Sequence, residues 1–422
     1  MACFIQQNAM NNSTVLDQPL TLPCGATLRN RIAKAAMSEH LATRSQQPSE
    51  GLTELYRAWS KSGAGLLITG NVMVDPSHLE SPRNVAMKPS PNVEAFRRWA
   101  DAGTSRGNHL WMQLNHPGRQ TPANVHPRPL APSAVDAVDL FKRAGVFATP
   151  RAMTESEVDE AIQSFAAAAA FAKDVGFTGV QVHGAHGYLV SQFLTPRINK
   201  RSDEWGGPTI AERARFLRAV VRAIRDAVGF EFPIGLKLNS TDFQDGGFDE
   251  EESMQVLAMM QEDGVDLVEI SGGSYEARAM FDGASTHRSS EAFFLDYAEK
   301  ARARVDIPMM VTGGFRTRTV MEEAVRSGWL DVVGMARPFT HNPRVASELL
   351  RGRIASAADP PPILGISRLK GFGAAATSVV QMAAISRGED PARRFSSLRV
   401  LAAVVKHELA TLRRARAPRT AI

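Results

Sequence analysis

The sequence predicts an α/β fold: a closed (β/α)8, or TIM, barrel followed by a helical C-terminal extension. Three observations point there. Eight short apolar runs alternate with stretches of helical periodicity along the 422 residues. Alternation on that scale builds a parallel sheet with its helices outside, and a doubly wound sheet rarely needs eight βα units. No Gly-x-Gly-x-x-Gly follows an early strand, which removes the best support for a dinucleotide-binding sheet.

The elements follow in order. Residues 1–28 precede the first run. The strand-like runs are Arg31–Met37, Gly65–Val72, His109–Leu114, Gly179–His183, Pro233–Asn239, Asp266–Ser271, Ile307–Gly313 and Leu330–Met335. Helical patterns cover Glu50–Lys61, Val93–Ser105, Ile210–Val228, Glu250–Asp263, Ala292–Arg304, Thr317–Ser327 and Pro343–Arg351. A further, Ala-rich helix starts from "TESE" at Thr154–Glu157, a capping box, and ends near Val175. Residues 115–153 carry many Pro and His and no helical period; a loop of that length is commonly a lid or hairpin. The chain therefore divides into a barrel over 1–352 and a basic helical extension over 353–422. The extension reads as a Pro-rich turn and two helices, the second amphipathic and Arg-rich. It is expected to lie solvated or docked on the barrel, with a dimer contact or an anionic surface as alternatives.

Composition is that of a globular protein, 44% hydrophobic and 22% charged. The formal charge of +5 is unevenly placed: Pro391–Ile422 holds eight Arg or Lys against Glu408. The high pI belongs to this tail, the rest of the chain is weakly acidic, and no nucleic-acid partner is expected. Two cysteines, Cys3 and Cys24, form no Cys-x-x-Cys, which excludes an iron–sulfur or Cys-rich zinc site. The start lacks a basic segment followed by an apolar one. The uncharged stretch Gly371–Ser386 is too short and polar to span a bilayer. The chain reads as cytoplasmic, without an integral membrane segment and with room for a homo-oligomer.

Active residues of such a barrel gather at the C-terminal ends of its strands. The first strand ends in "AKAAMSE", the third at Gln113, the fourth at His183 with His186 and Tyr188 beyond it. The fifth holds Lys237, the seventh ends at Gly313 and Gly314, and the eighth runs from Gly334 to Arg337. Loops after strands seven and eight are where this fold forms a phosphate pocket. Glycines let backbone N–H groups approach an anion, and Arg337 adds a charge partner. A buried lysine is costly unless it meets an anion, so Lys237 suits an electron-rich ring that gains negative charge. Gln113 offers donor and acceptor together, which fits a heterocyclic imide edge. His183 and His186 have no carboxylate or third His at ligand spacing, so no metal is expected. Two imidazole donors aimed at one carbonyl oxygen would draw electrons from a conjugated double bond. Tyr188 has an ordinary phenol pKa of about 10 and can donate a proton at neutral pH.

These residues resemble the Old Yellow Enzyme family of FMN-dependent oxidoreductases, the NADH:flavin oxidoreductase / NADH oxidase group. The resemblance rests on "LRNRIAKAAMSE", "QLNHPGR", "VHGAHGYLVSQFLTPRINKRSDEWGG", "GLKLN", "TGGF" and "GMARP", and covers about residues 17–350. It implies FMN as cofactor and NADPH or NADH as reductant. It places Ala35, Ala36, Met37 and Ser38 against the flavin, with Gly70 on the same side. It sets Gln113 at the pyrimidine edge and Lys237 by N1, and gives the phosphate to Gly313, Gly314, Gly334, Ala336 and Arg337. His183 and His186 then hold the oxygen of a small-molecule substrate, and Tyr188 protonates an activated alkene. Ser38 stands where relatives often carry Thr or Cys. Other FMN barrels, which would use a catalytic Cys or Ser in another loop, lack the His183–His186–Tyr188 cluster. An aldolase built on Lys237, an amine-oxidising flavoenzyme and a flavin binder without turnover are the remaining alternatives.

Overall fold

A computed structural model describes residues 14–136, 145–271, 294–359 and 370–391. Eight strands form the barrel: β1 (Ile32–Lys34), β2 (Leu66–Met73), β3 (His109–Asn115), β4 (Val180–Gly184), β5 (Ile234–Asn239), β6 (Leu267–Ser271), β7 (Met309–Thr312) and β8 (Val332–Met335). Each pairs in parallel with the next, and β8 returns to β1, so the barrel closes; a short ninth strand, Val85–Ala86, adds to the end of β2. All eight expected strands are present: β1, β5, β6, β7 and β8 are shorter than expected, β2 and β4 are shifted by one residue, and β3 runs one residue further.

Around them lie α1 (Glu50–Ser60), α2 (Val93–Thr104), α3 (Glu155–Asp174), α4 (Arg215–Val228), α5 (Glu250–Glu262), α6 (Leu295–Arg302), α7 (Arg318–Arg326) and α8 (Val345–Leu350). The capping box before α3 forms as its sequence requires: the Thr154 side chain accepts from Glu157 N, and Glu157 returns the bond to Thr154 N. One expected helix differs. The pattern Ile210–Val228 divides at Ala214 into Ile210–Arg213 and α4. Arg213, just before the break, is fully buried, and its guanidinium is held by Leu194 O, Pro208 O and Glu252. That turn serves the buried cation rather than the helix ladder.

The barrel floor is closed by Trp111. A Cβ on Gly179 or Gly235 would lie 2.4 or 2.8 Å from its ring, so both neighbouring strands need glycine there. The hairpin Leu20–Thr21 with Thr27–Leu28 seals the floor from below through Leu22, Cys24 and Leu28. The opposite end is open for chemistry.

The long loop after β3 is more ordered than its composition suggests. Leu130–Ala131 pairs in parallel with Arg151–Ala152, and Pro122 bridges Phe147, so it is not a simple hairpin. A further helix, α9 (Lys370–Ile385), buries Met382 and Ile385, and Thr340 Oγ1 donates to its Gln381 at 2.9 Å. The basic tail beyond Pro391 and the segment 272–293 after β6 lie outside the described residues. Among the described residues no helix is long and apolar enough to cross a membrane.

Candidate active site

Strand alternation sends odd-numbered residues of β3, β4, β5 and β6 into the barrel. Gln113 pairs in register with Gln181, Lys237 with His183, and Lys237 again with Glu269. On β2 the register slips between Ile68 and Asn71. A one-residue slip reverses the face that a side chain takes, and bulges beside active sites re-aim side chains in this way. The slip turns Asn71 inward beside Gln113. Gly70 sits in the bulge, and its N–H donates to Glu39 at 2.7 Å. A Cβ there would lie 2.2 Å from the Glu39 carboxylate and 2.3 Å from Met37 O. Glycine thus lets the loop Ala35–Ser38 lie flat against β2.

A first string of polar groups crosses the barrel. Gln113 Nε2 donates to Gln181 at 2.7 Å, Gln181 Nε2 donates to Glu269 at 2.8 Å, and Glu269 pairs with Lys237 at 2.9 Å. All four are at most 5% exposed. The carboxylate fixes the polarity, because an ionised carboxylate only accepts. Gln181 must turn its amide N–H toward Glu269, so Gln113 must turn its own toward Gln181. Among the described residues, Gln113 Oε1 then takes no hydrogen bond, and Lys237 makes no ion pair or hydrogen bond besides Glu269.

A second string starts on β6. Ser271 Oγ lies 2.8 Å from His186 Nε2, His186 Nδ1 lies 3.2 Å from His183 Nε2, and His183 Nδ1 lies 3.0 Å from Asn71 Oδ1. Asn71 Nδ2 donates to Glu80 Oε2 at 2.5 Å, where Ser38 Oγ also donates at 3.0 Å. Tyr188 hydrogen-bonds the same carboxyl. Its ring stands 4.8 Å from that of His183. Burial, reinforced by His186 and then Lys237, pushes the His183 imidazole well below its ordinary range. Burial and Lys237 push His186 down to about 3. Both rings are therefore neutral at neutral pH, and each has a single N–H. Asn71 accepts from His183 Nδ1, so His183 Nε2 is a lone pair that accepts from His186 Nδ1, and Ser271 donates to His186 Nε2. This differs from the expectation of two imidazole donors aimed at one oxygen. As the protons stand, the His186 Nδ1–H is the one that a ligand oxygen can compete for.

The backbone holds this corner under strain. His186 and Gly187 have φ of 61° and 75°. A left-handed histidine costs about 1–3 kcal/mol unless its surroundings enforce it. Gln120 Nε2 donates to both carbonyls, at 3.0 and 2.7 Å, and Asn239 accepts from His186 N at 3.2 Å. Tyr188 follows as the first turn toward the short helix Leu189–Leu194.

At the far side of the mouth the register Thr312–Gly334 sets the loops after β7 and β8 together. Gly313 and Gly314 have φ of 129° and 84°, which favours glycine. A Cβ on Gly334 would lie 2.0 Å from Thr312 Oγ1. Ala336 precedes Arg337, whose half-exposed guanidinium lies 3.5 Å from Asp359. Asn71, Glu80, Gln181, Glu269 and Ser271 were not singled out from sequence. The legible signal was a polar residue interrupting each apolar run, as Glu269 does in "DLVEIS".

A flavin's imide edge needs an acceptor for its N–H and a donor for its oxygen. Gln113 Oε1 and Lys237 Nζ are groups of those kinds, and the glycine pair beside Arg337 leaves backbone room that a phosphate could use. The residues present fit FMN. Separately, Asp75, His78 and His116 have metal-like spacing. His78 Nε2 accepts from Leu130 N, and His116 Nδ1 accepts from Gly118 N, so both rings turn their N–H toward Asp75. Burial alone would raise the Asp75 carboxyl, yet hydrogen bonds from His116 and His78 hold it far below the usual range. The cluster fastens the loop after β3 to the loop after β2.

A model of the NADH:flavin oxidoreductase / NADH oxidase family matches residues 16–355. The chain is 40% identical to the NADH-dependent flavin oxidoreductase iliE of Neonectria sp., over 77% of its own length and 46% of that protein. It is 36% identical to the NADH-dependent flavin oxidoreductase nadA of Aspergillus parasiticus, over 78% of itself and 77% of that protein. It thus spans about half the length of the first relative and about three quarters of the second. Among solved structures, the old yellow enzyme homologue from Zymomonas mobilis aligns with a TM-score of 0.68 and 25% identity, over 82% of this chain and 97% of that one.

Proposed function

Because the chain belongs to the NADH:flavin oxidoreductase / NADH oxidase family, we propose that it reduces the activated C=C bond of α,β-unsaturated carbonyl compounds, with Tyr188 as the proton donor. It is an oxidoreductase that uses FMN and a nicotinamide reductant, NADH or NADPH. Gln113 and Lys237 would hold the ring edge, and Gly313, Gly314, Gly334, Ala336 and Arg337 the phosphate end. Bound and reduced FMN supplies a hydride. Tyr188 supplies the proton to the α-carbon, and His186 Nδ1–H stabilises the charge that develops on the carbonyl oxygen.

The observation that carries this reading is the corner His183–His186–Tyr188. It sets a phenol against a neutral imidazole pair, with no cation of its own, in the open end of the barrel. Such a corner suits proton donation to a carbon next to a polarised carbonyl. The test is anaerobic stopped-flow reoxidation of NADPH-reduced holoenzyme by cyclic enones and nitroalkenes, with reduction of the oxidised holoenzyme by N-methylated amines followed alongside. Fast reoxidation by enones is expected. Failure with every enone, alongside substrate-dependent reduction by an N-methylated amine, overturns it.

A further inference from the structure

Tyr188 is 3% exposed, so a proton it gives away must be replaced from within the protein. The imidazoles are poor sources. Both are neutral, and their N–H bonds are engaged with Asn71 and His183. Glu80 hydrogen-bonds the phenol and is itself only partly buried, so it joins the buried hydroxyl to solvent. Its oxygens are unequally used. Oε2 takes the Asn71 amide at 2.5 Å and the Ser38 hydroxyl at 3.0 Å, while Oε1 lies 3.2 Å from Ser38.

We propose that Glu80 is a positioning residue that restores the tyrosine's proton: its protonated carboxyl donates to Tyr188 Oη, whose own hydrogen is thereby directed at the substrate. The ionised carboxylate would do the opposite, drawing the phenol hydrogen toward itself. The inference rests on the alkene reduction proposed above. In the step, the Tyr188 O–H bond breaks as a C–H bond forms on the substrate α-carbon. The Glu80 O–H bond breaks as a new Tyr188 O–H forms, and the carboxylate takes its next proton from solvent. No electrons move in this transfer. Burial pushes the Glu80 pKa up, hydrogen bonds from Asn71, Ser38 and Tyr188 oppose this, and the nearby Glu39 carboxylate raises it further.

The test follows 2-cyclohexenone reoxidation of reduced holoenzyme from about pH 5 to 9, in wild type, Glu80→Gln and Glu80→Asp. In wild type the rate should fall with rising pH, with an apparent pKa above the ordinary carboxyl range. Glu80→Gln should slow the enone step about tenfold or more, and far more than NADPH reduction of the flavin, and should flatten the profile. Glu80→Asp should keep the falling limb. Infrared difference spectra of the holoenzyme should show a carboxylic-acid carbonyl band that Glu80→Gln removes. A flat wild-type profile with active turnover overturns this inference alone, and so does equal slowing of both half-reactions in Glu80→Gln. If Glu80→Gln does not fold, the wild-type profile still decides. No enone reoxidation at any pH overturns the alkene reading and this inference with it.

Discussion

Two strings of buried polar side chains share the barrel mouth, and they end differently. The string Gln113–Gln181–Glu269–Lys237 ends on an ion pair that solvent barely reaches. The string Ser271–His186–His183–Asn71 has no charged member and ends on Glu80, which is partly exposed and also holds Ser38 and Tyr188. A buried ion pair has one satisfied arrangement, since any slip strands a charge. Neutral imidazoles leading to a titratable carboxyl have several. Under the proposed function the first string would hold the cofactor still, and the second would move a proton. The two strings share no side chain although Lys237 and His183 are register partners.

The sharpest way to break the comparison is Tyr188→Phe. Enone reduction should fall about 10²–10⁴-fold, the usual worth of general acid catalysis. NADPH reduction of the flavin and binding of a phenol ligand should be far less affected. Nitroalkenes should suffer less, because a nitronate is stable enough to leave and take its proton from water. Equal slowing of both half-reactions would make Tyr188 a nicotinamide-binding or structural residue and would erase the division of labour.

The holding string has its own test. Glu269→Leu strands the Lys237 charge and should cost about 3–5 kcal/mol in urea unfolding. Adding Lys237→Met should recover most of that loss in the FMN-free protein, because a well-packed apolar pair replaces a buried ion pair at little cost. The double variant should still bind FMN poorly, as judged by flavin absorbance after desalting. Recovery of stability together with full flavin content would show that Lys237 does not serve the cofactor.

The difference between the strings also marks how far the sequence could be read. The eight strands were legible because a parallel strand buried on both faces is an apolar run, and the runs at "GVQVH" and "IGLKLN" stand out between helices. Lys237, Gln113, His183, His186 and Tyr188 were legible because they sit at strand ends. Glu269 and Gln181 were as visible in their runs as Lys237, but pairing them required the register of three strands. Asn71 was hidden for a physical reason. Alternation counted from Ile68 would send it outward, and only the bulge brings it in. Glu80 lies in a loop with no periodicity, and it reaches the site by tertiary contact alone. The break at Ala214 was hidden as well, since it answers to a buried arginine on the neighbouring turn.

Smaller effects separate the two histidines. His186→Ala removes the N–H that a substrate oxygen would take, and losing one preorganised donor costs about 10²–10³ in rate. His186→Asn should be milder, because an amide N–H can still donate. Position 186 has positive φ, which Asn tolerates better than Ala. The folding penalty should therefore follow the same order, and the phenol dissociation constant should separate binding from stability.

The smallest effect is in the pH dependence of stability of the FMN-free protein, and its sign distinguishes the parts of the moving string. His183 and His186 are held neutral by burial, and His186 stays so down to about 3. Below the ordinary imidazole pKa of about 6.5 the unfolded chain takes up protons that the folded chain refuses. Stability should therefore fall as pH drops through this window, by at most about 1.4 kcal/mol per pH unit for each imidazole. Glu80 works in the opposite sense. Its folded pKa is raised, so it contributes stability that is present below the ordinary carboxyl pKa and is lost as pH rises through the folded value. Two imidazoles outweigh one carboxyl, so the urea midpoint should decline from about pH 7.5 to 5.5. His78 and His109, also pushed down by burial, contribute in wild type and variant alike, so the difference between the two proteins isolates the site. His186→Asn should make the decline shallower and Glu80→Gln should make it steeper. Parallel lines for all three proteins would mean that the string is solvated in the free enzyme, and that its neutral state is imposed only when ligand enters.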